Sequence, residues 1–101
     1  MMRSEVAICS ISVAFAAEPK HTYTPPAGYV PDAATAIKIA VAVWEPIYGV
    51  SQIADEKPYH ATLQGGVWTV TGSLPEGMNG GVALAEISKG DGRIMRISHG
   101  K

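Results

Sequence analysis

Residues 60–71 read His60-Ala61-Thr62-Leu63-Gln64-Gly65-Gly66-Val67-Trp68-Thr69-Val70-Thr71. Two runs rich in β-branched and aromatic residues flank a Gly-Gly pair, the chemistry of a tight hairpin turn, so strands are expected at His60–Leu63 and Val67–Thr71. Two more runs of the same kind follow, Val82–Ile87 and Arg93–Ile97. Leu74 to Gly81 is the longer loop before the third strand, and Gly90-Asp91-Gly92 is a tight turn before the fourth. Four consecutive strands with short connections make an antiparallel meander.

Upstream the period changes from two to 3.6. Asp32 follows Pro31 and can accept hydrogen bonds from the free amides of a first helical turn, where its charge also suits the helix dipole. The helix is expected from Ala33 to Ile47, with Ile37, Ala40, Val41, Trp44 and Tyr48 on one face. Thr35, Lys38, Ala42 and Glu45 form a narrow solvent stripe. Pro46 lacks the amide that would bond Ala42, so the helix should end or kink there, with Gly49 as the stop. Ser51 to Lys57 reads as a polar link. One helix followed by a meander is the α+β pattern: one main helix packed on a four-stranded antiparallel sheet, with Trp44 and Trp68 meeting between them.

The chain has 101 residues, room for one small domain. Lys and Arg number 8 against 9 Asp and Glu, so no basic field exists to steer the chain onto nucleic acid. Apolar residues make up 47% and charged ones 17%, a composition that suits a folded domain.

The first residues carry Arg3, an apolar run from Val6 to Val13, and Ala14-Phe15-Ala16. A basic start, a short apolar stretch and an Ala-x-Ala site are the parts of a secretory signal peptide. Residues 1–16 are therefore expected to be cleaved, leaving a periplasmic or secreted chain with no stable membrane span. Cys9 is the single cysteine and leaves with that segment. Ile8 before it is bulkier than lipoprotein processing prefers, which ranks lipid modification below ordinary cleavage. Residues 17–31 hold Pro19, Pro25, Pro26 and Pro31 and read as an extended tether, contributing little core. Residues 32–101 form the domain.

The sequence offers no catalytic constellation. His21, His60 and His99 show no i, i+4 helical spacing for zinc, and neither a metal nor a cofactor is expected. Asp55-Glu56 falls in the link and Glu45 on the solvent stripe, so neither reads as a buried acid. Glu86 lies inside a strand pattern, where it can meet Arg93 or Arg96 across the last hairpin. Gly77 to Gly81 lacks the Lys-Ser/Thr ending of a phosphate loop, and no serine sits in a Gly-x-Ser-x-Gly elbow.

The ordered set Tyr48-Gly49, Ile53, Glu56-Lys57-Pro58-Tyr59, Trp68-Thr69-Val70-Thr71-Gly72-Ser73-Leu74-Pro75, Gly80-Gly81-Val82, Glu86-Ile87-Ser88-Lys89, Asp91-Gly92-Arg93-Ile94 and His99-Gly100-Lys101 resembles the bacterial NTF2-fold immunity protein family, from Asp32 to Lys101. The resemblance implies a non-enzymatic protein of a polymorphic-toxin system, which binds and neutralises a cognate protein toxin. One helix and four strands imply a reduced NTF2-like or cystatin-like version of that fold. Candidate partner-binding residues are Tyr59, Glu86, Arg93, Arg96 and His99; no oligomeric state is assigned. The alternative is a secreted inhibitory or regulatory module similar to PepSY-like domains, acting on an envelope peptidase. A third reading, a small NTF2-like enzyme or ligand carrier, requires a partly buried acid or histidine lining a pocket.

Overall fold

The computed structural model describes residues 21–75, 77–78 and 80–100. The expected signal segment 1–16 lies outside them. Helix α1 spans Ala33–Tyr48 and α2 spans Val50–Ala54, followed by β1 (His60–Gln64), β2 (Val67–Thr71), β3 (Ala83–Ser88) and β4 (Ile94–His99). The strands form one antiparallel sheet in the order β1-β2-β3-β4, and α1 packs on one face of it, the α+β arrangement expected from the pattern.

Asp32 caps α1 as anticipated: its backbone is extended and its Oδ1 accepts from the Thr35 amide at 2.8 Å. The buried stripe is Ala36, Ala40 and Trp44, one turn apart. This shifts the expected face by a few tens of degrees, because Ile37, Val41 and Tyr48 flank that stripe and are only partly buried. The small alanines at its centre let the helix backbone approach the sheet, and the larger residues seal its sides.

Pro46 does not end α1, a correction to one of the two outcomes expected there. The helix continues to Tyr48, and the Gly49 amide donates to Glu45 O at 2.8 Å with Gly49 at φ +100°. Pro46 and Ala42 are both exposed, so the carbonyl left without a partner lies on the solvent side, where water satisfies it. The supposed link is corrected too. Its first half is the short helix α2, anchored by the fully buried Ile53.

In the β1–β2 hairpin Gly65 and Gly66 both take positive φ (+59° and +76°), the conformation a two-residue turn of this hand requires. Register rows cross all four strands. Ala61, Val70, Ala85 and Ile97 form a row on the helix side; Thr62, Thr69, Glu86 and Arg96 form one on the open side. A bulge between Glu86 and Ile87 shifts β4, so Arg93 belongs to the turn and β4 starts one residue later than expected.

The core joins Val30, Ala36, Ala40, Trp44, Ile53, Trp68, Val70, Ala83, Ala85 and Ile87. Both indole N–H groups are satisfied: Trp44 donates to Leu84 O at 3.2 Å and Trp68 to Val30 O at 2.8 Å. The ring that packs on Trp44 is Tyr59, with centroids 5.9 Å apart, and not Trp68 as expected. Val30 corrects the reading of the proline-rich segment as adding little to the core. Its side chain is buried, and the Tyr29 and Val30 amides donate to Gly90 O and Lys89 O. Gly28 makes this approach possible, since a Cβ there would lie 2.5 Å from Lys89 O.

Candidate functional site

Where α2 ends, Glu56 turns into the interior. Its amide donates to Ile53 O at 3.0 Å, and its carbonyl accepts from the Ser73 amide at 2.7 Å. These two bonds hold the residue between the helix pair and the start of the β2–β3 connection. The residue is 3% exposed, the one buried charged residue among those described. Oε1 accepts from the Ala83 amide at 2.8 Å, while Oε2 lies 2.8 Å from His99 Nε2 and 3.2 Å from Gln52 Nε2. Gly72 leaves room for the carboxylate: a Cβ at that position would sit 2.4 Å from Oε1.

His99 is the last residue of β4 and stands opposite Ala83 in the register, which places its ring over the same end of the sheet. Its Nδ1 lies 3.0 Å from Gly100 O. A carboxylate oxygen and a carbonyl oxygen can only accept, so the two contacts favour the protonated ring, in which both nitrogens donate. The bond to Glu56 raises its pKa above the ordinary 6.5, against the opposing effect of burial. Burial pushes the Glu56 carboxyl up, but the Ala83 amide, the His99 ring and the Gln52 amide outweigh it and hold the pKa below the ordinary 4.5. The Tyr48 ring lies 5.1 Å from the His99 ring, centroid to centroid, in a tilted arrangement.

This ion pair is part of the wall of a cleft of about 420 Å³, lined also by Gln52, Asp55, Leu74, Pro75, Met78 and the glycines 80, 81 and 100. A second depression, lined by Tyr48, Gln52 and His99, adjoins it. A buried acid and a histidine beside a cleft are what the enzyme or carrier reading asked for. In this geometry the two groups are turned to one another and to the backbone, Glu56 to the Ala83 amide and His99 to Gly100 O, and the pair ties the end of β4 to the residue that follows α2. Among the described residues no group of three or more His, Cys, Asp or Glu is placed to hold a metal ion.

The residues singled out from the sequence fall in four different places. His99 is in the cleft. The Tyr59 hydroxyl donates to Ile53 O at 2.8 Å and its ring is packed on Trp44, and burial pushes its pKa up. Glu86 pairs with Arg96 at 3.0 Å on the open face of the sheet. Arg93 turns instead to Asp91, 3.5 Å away at the hairpin tip. Glu56, dismissed on sequence as part of a solvated link, is the buried acid. The signal that could have found it is Gln52, Ile53 and Glu56 at i, i+1 and i+4, one turn of helix with an apolar residue on its inner side.

The sequence pattern of the family described as NTF2 fold immunity protein matches residues 35–101. The chain belongs to the NTF2 fold immunity proteins. The match covers most of α1, α2, the whole sheet and every residue of the cleft. It falls on immunity proteins and gives no support to the PepSY-like alternative. The helix on a four-stranded antiparallel sheet is the α+β fold that membership implies. A curated relative, the uncharacterized protein YhhH of Escherichia coli (strain K12), is 37% identical over 73 residues, which are 71% of this chain and 58% of that protein. The chain thus spans under two thirds of that relative's length. No solved structure matches it.

Proposed function

We propose that this chain is the immunity partner of a bacterial protein toxin, which it neutralises by binding and without chemistry of its own. The observation that carries the reading is the family match over residues 35–101. The bonds of Glu56 to the Ala83 amide and to His99 give the titratable pair in the cleft a structural task, tying the residue after α2 to the sheet, which is in keeping with the non-catalytic part. The Arg3, apolar and Ala14-Phe15-Ala16 pattern supports export, so that the toxin is met in the periplasm or outside the cell.

The test is co-expression of the toxin gene adjacent to this one, with and without the chain. Growth is restored when the chain is present. A toxin that kills equally in both strains overturns the reading. Fractionation of the same cells checks export: a periplasmic product beginning at Ala17 is expected, and a cytoplasmic chain that still carries Met1 refutes it.

A further inference from the structure

The cleft beside the Glu56–His99 pair combines two kinds of surface. Leu74 and Met78 are 40% and 58% exposed, and together with Pro75 they give it an apolar wall. Large apolar side chains held toward water beside a concavity mark an interaction site more often than chance exposure does. Methionine in particular adapts its shape to whatever lies against it. The polar side is acidic. Glu56 is buried and paired with His99, whereas the Asp55 carboxylate is exposed and has no ion-pair partner among the described residues. Among the described residues that line the cleft, Asp55 is thus the carboxylate without an ion-pair partner, on the same cleft as the apolar Leu74, Pro75 and Met78.

A lysine or arginine side chain has the complementary form, a long apolar stem ending in a cation. We infer that this cleft is where the toxin docks, and that it receives a lysine or arginine of the toxin whose stem lies along Leu74, Pro75 and Met78 and whose charge meets Asp55. The inference rests on the immunity reading. It moves the expected interface away from the open sheet face, where Glu86 and Arg96 already satisfy each other, to the cleft lined by Gln52 and Asp55, by Leu74, Pro75 and Met78, and by His99 at the end of β4. Charge at such a rim steers encounter, and the packed stem slows dissociation.

The experiment measures binding of the adjacent gene's toxin to the full-length mature chain, alongside protection in cells. Asp55→Lys and Met78→Asp both change exposed side chains, and unchanged thermal melting confirms that each variant folds. Each is expected to weaken binding about 10- to 100-fold, with Arg96→Glu left near wild type. Changing the toxin's lysines and arginines singly to glutamate should yield one variant that recovers binding to Asp55→Lys. If the wild-type chain neither binds nor protects, the immunity reading fails and this inference with it. If the wild type binds and protects while Asp55→Lys and Met78→Asp bind equally well, the cleft alone is overturned.

Discussion

Replacing Glu56 by alanine removes three acceptor contacts from one buried position. The Ala83 amide, whose residue is fully buried, loses its partner at 2.8 Å; an unsatisfied buried donor costs about 1–3 kcal/mol. His99 loses a charge-assisted bond, worth about 1.5–3 kcal/mol. The His99 side chain is 22% exposed, so it can recover some hydration and the second loss falls toward its lower end. The Gln52 contact at 3.2 Å is at the surface and adds little. A total of about 3–4 kcal/mol is expected, a large part of the 5–15 kcal/mol typical of a folded domain. Urea denaturation of wild type and Glu56→Ala measures it directly. The pH dependence gives a second check. The Glu56 pKa is depressed below 4.5, so its contribution is present above about that pH and lost as pH falls through the folded-state value. The His99 pKa is raised above 6.5, so its contribution is complete below about that pH and lost as pH rises through the folded-state value. The gap between the two proteins should be widest between about pH 4.5 and 6.5 and narrow on both sides. A difference under about 1 kcal/mol, or one that does not vary with pH, would refute the assignment of a buried ion pair.

Gly72→Ala drives a methyl against the same side chain and should cost about 2–4 kcal/mol by the same urea assay; in a Glu56→Ala background part of that cost should vanish, since the carboxylate is gone while the Cβ of residue 56, 2.8 Å from the added methyl, stays. Asp32→Ala removes the α1 cap and is expected to lower stability by about 1 kcal/mol, seen as a shift in urea midpoint with an unchanged slope. Val30→Ala should cost about 1–3 kcal/mol and increase hydrogen exchange at the Trp68 indole, because that N–H depends on the docked Val30 carbonyl. A Trp68 indole that exchanges as slowly as in the wild type would show that the segment before α1 is held by other contacts.

The parts of the fold readable in the sequence were those whose cause is local. Val67–Thr71 alternates and is bounded by Gly65-Gly66 and Gly72, and its limits as a strand agree with the reading residue for residue. Asp32 announces α1 because a cap acts within three residues. Pro46 misled because the lost donor is a local fact, whereas the hydration of the Ala42 carbonyl depends on which side of α1 meets the sheet. Five residues of α2 are too few to display a helical period, and only Ile53 among them is buried. Glu56 was hidden for the opposite reason: its partners Ala83 and His99 are 27 and 43 residues away in sequence. The cleft inherits that non-locality, as its walls come from α2, the β2–β3 connection and the end of β4.

The β2–β3 connection is fastened at its base on both sides. The Gly72 amide donates to Ala83 O, the Ser73 amide to Glu56 O and the Gly100 amide to Val82 O. The sheet is thus complete before the chain reaches Leu74 and again from Val82 onward. Leu74, Pro75 and Met78 stand outside both the ladder and the buried core, so their side chains can be changed with the fastened base and the sheet left as they are.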